Sequence, residues 1–461
     1  MLLEITGRFA GFLWGWFLIA ILLGTGLFLT IRLKGAQFRY FGQIFKNIKR
    51  SMKKTDGVSG FGALCASLGS QVGTGNLVGV ASALVSGGPG AVFWMWVTAL
   101  VGMATSFSEI VLGMLYREKK DDGGYVGSPC YYMRKGMNSK FLAVGYAVFV
   151  FLGIGVVYAM LQCNSVVSAV RGVAPSVSPL IAGICIMVLT ALVIFGGMKR
   201  LSDVSSLVVP FMSLAYLGIA LIVVVVNIRH VPAVLATIFK SAFTLQAVAG
   251  GVMGHTMREA IRYGVARGLF SNDAGNGCAA ALHSAADVKH PFTQGLSGML
   301  GVFVDTIIVC SCTCFIILST GSLESGKEGI ELTQYALSTV MGKPGSYLIL
   351  VAMLLFGFTS LLADIQIGEV NLGWACRRNP KVIKAYRIAA CGLIILGAVV
   401  PTALLWNLVD ILTAFMAIFN VIPLIALSGK TEQVIKDYEK QKRDGVEEPV
   451  WNYEQELEPR L

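Results

Sequence analysis

Charged residues are scarce in this chain of 461 residues, since Asp, Glu, Lys and Arg make up only 14% of it. Soluble proteins carry about 25%, so a water-soluble fold of this length could not cover its own surface. The chain also has only four histidines, and its ten cysteines include no C-x-x-C pair. The histidines and cysteines argue against a zinc site, and the scarcity of charge excludes a secreted disulfide scaffold and an ordinary cytosolic enzyme.

Apolar residues are abundant instead, at 55% of the chain. A membrane-spanning helix needs about 20 of them in a row, and the chain contains eleven runs of that kind. They cover residues 11–33, 61–86, 90–115, 141–168, 179–197, 206–228, 236–266, 294–320, 346–370, 383–403 and 405–428. The sequence therefore predicts an all-α, polytopic membrane protein with eleven spans.

The basic residues are distributed unevenly between the loops. With the N-terminus outside, the inner segments are 32–54, 117–140, 198–203, 258–290, 377–387 and the tail from 429; they hold 31 of the 37 Lys and Arg residues. Such an excess marks the cytoplasmic side, so we expect an outer N-terminus and a cytoplasmic C-terminus. The net charge of +11 then faces anionic lipid, and no nucleic-acid partner is expected.

The second run is a poor straight helix, because residues 69–79 read GSQVGTGNLVG. One interpretation is a small-residue packing face of the G-x-x-x-G type. The other is an unwound segment in mid-membrane. Glycines interrupt the seventh run as well, at 250–254, and two broken helices in corresponding positions are typical of inverted-repeat transporters. We therefore predict an N-terminal unit (1–56), two repeats (57–228 and 229–428) and a cytoplasmic tail (429–461), either a solvated helix or partly disordered.

Several motifs resemble those of the alanine/glycine:cation symporter family. They are GGPGAVFWMWVTALVG at 87–102, GTGN at 73–76, the tyrosine pair at 131–132, GLFSNDAG at 268–275 and HP at 290–291, and the resemblance extends from about residue 15 to 430. It implies a LeuT-like five-plus-five inverted repeat with one additional N-terminal span. It also implies a monomeric carrier of the cell membrane, not an enzyme, that uses Na⁺ to take up small neutral amino acids such as alanine, glycine, serine or glutamine.

The resemblance assigns a sodium site to four residues. Backbone oxygens of Gly69 and Val72 and the hydroxyls of Thr359 and Ser360 match the shared sodium site of LeuT-like carriers. Hydroxyl and carbonyl oxygens suit a hard cation. The alternative is that both hydroxyls bond back to their own helix.

The resemblance also implies the residues that contact the amino acid. Backbone N–H groups of Thr74 and Gly75 would bind its carboxylate, helped by the dipole of the following half-helix. The other expected substrate contacts are Gln71 and Asn76 beside them, Gly250, Gly251 and Met253 in the seventh run, and Gln162 and Asn164 in the fourth. For the last two, ordinary hydrogen bonds between helices are the alternative.

Acidic residues inside a membrane are costly and usually functional. Asp305 matches a family acid and is a candidate for a second cation site or a gate, whereas Glu109 is expected to cap backbone freed by the breaks. Asp364 stands where the family usually carries a tryptophan that faces the substrate. This carboxylate enlarges and charges the expected pocket, so alanine and glycine are less certain substrates than amino acids in general.

A second hypothesis keeps the fold and changes the driving ion. Asp364, Asp305 or His255 would then titrate in a proton-coupled carrier or exchanger. The motifs of an intramembrane enzyme or an ATP-driven pump are absent, because the chain has no H-E-x-x-H, G-x-S-x-G or P-loop motif. A channel would need a repeated filter, of which the sequence shows no sign.

Overall fold

The structure is a computed structural model that describes residues 2–52, 57–120, 123–243 and 256–453. Within these ranges the chain is almost entirely helical, and one antiparallel pair of strands, Glu118–Lys119 with Tyr125–Val126, interrupts it. The helices of the first half are α1 (Leu2–Leu13), α2 (Trp16–Arg32), α3 (Ala36–Arg39), α4 (Phe41–Ser51), α5 (Gly60–Gln71), α6 (Val80–Gly87), α7 (Gly90–Leu115), α8 (Pro129–Lys135), α9 (Lys140–Leu152), α10 (Ala159–Val173), α11 (Pro179–Ile194) and α12 (Gly197–Val226).

The second half contains ten further α-helices. They are α13 (Val231–Ala242), α14 (Met257–Asn272), α15 (Cys278–His283), α16 (Pro291–Val302), α17 (Ser311–Ser319), α18 (Gly329–Met341), α19 (Lys343–Ala375), α20 (Pro380–Gly397), α21 (Thr402–Ala426) and α22 (Ser428–Arg443). π-Helical segments at Gly75–Gly79, Gly153–Tyr158 and Phe303–Cys310 lead into α6, α10 and α17, and a short 3₁₀-helix covers Ser322–Ser325.

Helices occupy the described part of all eleven predicted apolar runs. Among the described residues, six continuous helices are long and apolar enough to cross a membrane, and the pair α1 and α2, bent by 45°, provides a seventh candidate. Shorter apolar helices cover Gly75–Gly87, α11 and α13. The all-helical polytopic architecture is therefore as predicted, while the exact span count stays a prediction.

The expected inner segments meet at one end of the molecule. Arg117 at the end of α7 donates to the carbonyl of Ala286 at 2.6 Å, and Asn47 of α4 donates to the carbonyl of Thr293 at 2.7 Å. Arg387 reaches the carbonyl at the end of α11. We call this end the basic face; it comprises residues 32–52, 117–120, 123–140, 195–200, 284–290 and 376–387.

The direction of α14 corrects part of the predicted topology. A Cβ atom added at Gly264 would lie 2.4 Å from the carbonyl of Ala91, and one at Gly268 would lie 3.4 Å from Met95. Helix α14 therefore runs parallel to α7 and begins at the end opposite the basic face. Its three arginines, at 258, 262 and 267, belong to a segment that the sequence predicts on the inner side. In the structure they lie on a helix that begins at the opposite end.

The C-terminal tail packs on the basic face, although its composition predicts a solvated segment. The ring of Tyr438 stacks on Phe292 with centroids 4.0 Å apart, and Val434 beside it is buried. Glu432 pairs with Arg32 at 3.0 Å. A hydrogen bond from Lys436, helped by the Arg32 charge, holds the pKa of Glu432 below its ordinary value. Helix α22 is thus an ordered part of the fold.

Candidate functional site

The first break in a helix lies where the sequence predicts it. Helix α5 ends at Gln71, and Val72 leaves the helical region with ψ of 87°. The side chain of Asn76 then accepts from the backbone N–H of Gly73 at 2.8 Å, replacing a lost helical bond. Residues 71–81 are fully enclosed by protein, which is the setting in which unwound backbone is tolerated at membrane depth.

A second break separates α14 from α15, at residues for which the sequence predicts none. Asp273, Gly275 and Gly277 adopt φ values of 57°, 104° and 80°, which the two glycines adopt without steric cost. The predicted break at 250–254, with Gly250, Gly251 and Met253, and the nearby His255 lie outside the described residues. The break that the structure brings against the first one is at 273–277.

One buried carboxylate holds the second break. Oε1 of Glu109 accepts from the backbone N–H of Gly275 at 3.0 Å, from that of Gly277 at 2.9 Å and from the Asn420 amide at 2.6 Å. Tyr132 donates to the other end of the Asn420 amide. Glu109 therefore caps freed backbone, as predicted, and substitutes for the bonds that a continuous helix would have made.

The two breaks touch. The Gln71 amide donates to the carbonyl of Asn272 at 2.9 Å, and the Ser70 hydroxyl donates to Oδ2 of Asp273 at 3.3 Å. A Cβ atom at Gly75 would lie 2.9 Å from the Cα of Ser271. Two interrupted helices thus meet in the protein interior, with their freed polar groups facing one another.

The predicted sodium-site residues lie together beside the first break. The Ser360 hydroxyl is 2.8 Å from the carbonyl oxygen of Gly69 and 3.5 Å from that of Val72. Thr359 differs, because its hydroxyl bonds back to the carbonyls of residues 355 and 356 in its own helix, at 3.1 Å. A further oxygen, the buried Ser205 hydroxyl of α12, lacks a partner among the described residues and lies 3.6 Å from where a Gly69 Cβ would be. This oxygen-rich corner fits a hard cation, and sequence reasoning missed Ser205.

Asp305 sits in a second polar cluster on the other side of the first break. Its Oδ1 accepts from the Asn76 amide at 2.7 Å, and its Oδ2 accepts from the hydroxyls of Ser271 and Thr306 at 2.8 Å each. Asn272 donates to the same threonine at 3.2 Å. Asp305 therefore links both broken helices to the π-helical segment Phe303–Cys310.

The two polar residues of the fourth run have different environments. Oε1 of Gln162 accepts from both the backbone N–H and the hydroxyl of Thr74, so Gln162 lies at the first break. Asn164 donates to the carbonyls of Gly397 and Val400 at 2.9 Å each and accepts from Thr402. The structure does not bring Asn164 to the breaks, because its amide joins α10 to the end of α20 and the start of α21.

Aromatic side chains cover the breaks on the side away from the basic face. The ring of Phe270 lies 4.9 Å from Tyr158 and 4.8 Å from Trp406, centroid to centroid. Beside these rings Arg267 forms a bidentate ion pair with Asp410, at 2.7 and 3.1 Å. Its guanidinium also lies over the Trp406 ring. Nothing in the sequence pattern linked Arg267 to Asp410, which lies 143 residues away.

On the opposite side a cavity of about 770 Å³ opens at the basic face. Its lining includes Gly57 before α5, Lys199 of α12, Asp287 after α15, and Gln366 and Glu369 of α19. Gln366 and Glu369 belong to α19, the helix that also carries Ser360 and Asp364. Aromatic side chains thus cover the breaks on one side of the molecule, and the cavity opens on the other.

Comparison with known proteins shows which sequences this chain is similar to. The sequence model of the Sodium:alanine symporter family matches residues 1–453. The chain is 41% identical over 440 residues to the amino-acid carrier protein AlsT of Bacillus subtilis, which covers 95% of this chain and 92% of that protein. It is 38% identical over 432 residues to the sodium/alanine symporter AgcS of Methanococcus maripaludis, covering 91% and 93%.

A further relative and one solved structure extend the comparison. The probable sodium/glutamine symporter GlnT of Bacillus subtilis is 37% identical over 451 residues, covering 97% of this chain and 93% of that protein. The crystal structure of MhsT in complex with L-phenylalanine superposes with a TM-score of 0.60 at 15% identity, covering 81% of this chain and 90% of that one. At this identity the likeness concerns the fold, and it confirms the LeuT-like architecture.

Proposed function

Because the chain belongs to the sodium:alanine symporter family, we propose that it binds a small neutral amino acid and Na⁺ at its two contacting helix breaks. Membership of this family makes the protein a multi-pass membrane transporter that couples amino-acid uptake to Na⁺, and not an enzyme. The observation that carries the proposed site is the contact of Ser360 with the freed carbonyls of Gly69 and Val72.

The amino acid's carboxylate binds at the start of the half-helix that follows the first break. There the N–H groups of Thr74 and Gly75 and the dipole of the helical turn favour an anion. The Gln162 amide oxygen now accepts from the N–H of Thr74 at 3.3 Å. Gln162 therefore has to turn away as the carboxylate arrives, which makes it a ligand-responsive side chain.

Na⁺ binds at the carbonyls of Gly69 and Val72 with the hydroxyls of Ser360 and Thr359, and Asp305 provides a second cation site. The first break supplies ligands to both the ion and the amino acid. Each ligand orders backbone that the other needs, so each raises the affinity of the other, and this reciprocity is the thermodynamic basis of coupling.

Alternating access uses the two sides of the breaks. The basic face is cytoplasmic by the distribution of Lys and Arg, which places the N-terminus outside and the C-terminus inside. The cavity at that face is then the inner access path, and the Phe270 layer with the Arg267–Asp410 pair is the outer closure. A single chain contains both breaks, so a monomer suffices for transport.

Uptake into sealed vesicles tests the coupling ion. Labelled alanine, serine and glutamine are offered under an inward Na⁺ gradient and under an equal choline gradient. We expect accumulation in the Na⁺ gradient and only leak in choline. Equal uptake in the two buffers would refute Na⁺ coupling, and accumulation that follows a pH gradient without Na⁺ would select proton coupling through Asp364, Asp305 or His255.

A methyl group at Gly73 should damage the proposed ion site. A Cβ atom there would lie 2.1 Å from the Ser360 hydroxyl, well inside contact distance, so Ser360 must leave the Gly69 carbonyl. We expect Gly73→Ala to raise the Na⁺ concentration for half-maximal uptake at least tenfold, which corresponds to about 1.4 kcal/mol. The control is Gly218→Ala in α12, where a Cβ meets no atom within 4 Å; an equal effect of both changes would count against the site.

A further inference from the structure

Asp364 faces the breaks from α19. It lies four residues after Ser360, one helical turn along the same face, and its carboxyl lies beside the Ser70 hydroxyl and the Gln162 amide. Only 1% of the residue is exposed. Its Oδ2 has no hydrogen-bond partner among the residues that the structure describes.

A second buried carboxylate, that of Asp273, shares one neighbour with Asp364. Ser70 has a single hydroxyl hydrogen, which it directs to Asp273 at 3.3 Å, so it cannot serve both acids at once. The other bond to Asp273, from Asn276, is also 3.3 Å long. Within the described ranges no Lys or Arg forms an ion pair with either acid. Two enclosed carboxylates thus have too few hydrogen-bond donors, and burial without donors is costly.

The other unsatisfied atoms around the breaks have the same chemical character. Oε1 of Gln71 and Oδ1 of Asn276 are buried and lack partners among the described residues, like Oδ2 of Asp364. All three are hydrogen-bond acceptors. A ligand group that binds Oδ2 of Asp364 has to be a hydrogen-bond donor, and a charged N–H donor gains more there than a neutral donor.

The position of Gln162 relates these acceptors to the amino acid. One end of its amide is bonded to Thr74, where we place the substrate carboxylate, and the amide also lies beside Asp364. The Gln162 amide therefore separates Asp364 from the carboxylate site, and the side chain of an amino acid can span that distance.

From this geometry, and on the basis of the proposed function, we propose that Asp364 selects amino acids whose side chain ends in an N–H donor. The donor is an amide, as in glutamine or asparagine, or an ammonium, as in lysine or ornithine. Ser70 and Gln162, whose side chains lie beside this carboxyl, complete the subsite. Alanine and glycine fill the carboxylate site and leave Oδ2 of Asp364 unsatisfied, so they are the weaker substrates.

The test is Na⁺-driven uptake by the full chain in proteoliposomes, with labelled alanine and labelled glutamine measured side by side and lysine, ornithine and asparagine as competitors. We expect the wild type to favour at least one class of N–H donor over alanine by tenfold or more. Asp364→Ala should remove that preference, so that the ratio of N–H-donor uptake to alanine uptake falls at least tenfold. The isosteric Asp364→Asn distinguishes the two kinds of donor. It should weaken the binding of amino acids with an ammonium side chain at least tenfold, and that of amino acids with an amide side chain only a few-fold.

The control is Glu324→Gln, a carboxylate on an exposed turn, which should leave all ratios unchanged. A wild type that prefers alanine would overturn the proposal. So would an equal loss of alanine and glutamine in Asp364→Asn, because Asp364 would then bind the common α-ammonium or support the fold. Failure of every amino acid to enter with Na⁺ would instead refute the proposed function, so the two failures are distinguishable.

Discussion

Uptake should require a far higher Na⁺ concentration when Thr359 and Ser360 are both replaced by alanine. Ser360 contacts the freed carbonyls at the first break, and Thr359 lies against Gly69, whose added Cβ would be 3.3 Å from its side chain. A hydrogen bond or ligand contact to a charged group is worth about 1.5–3 kcal/mol, so losing both oxygens should raise the half-saturating Na⁺ concentration about 100-fold or more. The measurement is initial uptake rate against Na⁺ concentration at fixed amino acid.

The single changes separate the two hydroxyls. Thr359 bonds back to its own helix, so we expect Thr359→Ala to have the smaller effect and Ser360→Ala the larger. Ser206→Ala is the matched control, since that hydroxyl bonds to the carbonyl of Ser202 in its own helix. An unchanged Na⁺ dependence in the double variant, at normal expression, would show that Ser360 and Thr359 do not bind the ion.

The second large effect is expected at Glu109. Glu109→Ala leaves two backbone N–H groups and one N–H of the Asn420 amide, whose nitrogen also donates to the carbonyl of Gly275, without an acceptor in an enclosed region. Each buried unsatisfied donor costs roughly 1–3 kcal/mol, so the folded state should lose at least about 3 kcal/mol. We expect a markedly lower unfolding temperature in detergent and no measurable uptake.

Glu109→Gln tests whether shape or charge matters. Oε1 accepts all three bonds, and Oε2 has no partner among the described residues, so a glutamine can keep the three bonds. This variant should retain the fold and a substantial part of uptake. Glu118→Ala, at a half-exposed ion pair of the basic face, should change the unfolding temperature little. A stable and active Glu109→Ala would show that the second break does not depend on this carboxylate.

Local sequence patterns predicted the features that depend on local chemistry. Apolar length located the helices, and three glycines among polar residues located the first break. Glu109 was identifiable because an acid inside a membrane needs partners and freed backbone N–H groups supply them. The neighbourhood of Ser360 and Gly69 came from resemblance to a family, since 291 residues separate the two in the chain.

The break at 273–277 is not predicted by the sequence, because two patterns competed, and the predicted break at 250–254 lies outside the described residues. Glycines 250 and 251 interrupt an apolar run, whereas 273–277 follow three arginines and resemble the start of a polar loop. Only the tertiary partner, Glu109, shows that this polar stretch is membrane interior. Asn164 was assigned to the pocket for a similar reason: its partners lie at the end of α20, more than 230 residues away, and no local pattern shows which of two buried environments an amide occupies.

The Arg267–Asp410 pair has a consequence for the order in which the protein is made. Helix α14 is too polar to be read as a membrane span by its own composition, and its buried guanidinium gains its carboxylate only when α21 has been synthesised, 143 residues later. A buried charge without its partner is costly, so the final position of α14 becomes favourable only after α21 has been made. A chain that stops before Asp410 should leave this half-helix unintegrated, and assembly of the transporter's interior is therefore completed late, when nearly the whole chain has emerged.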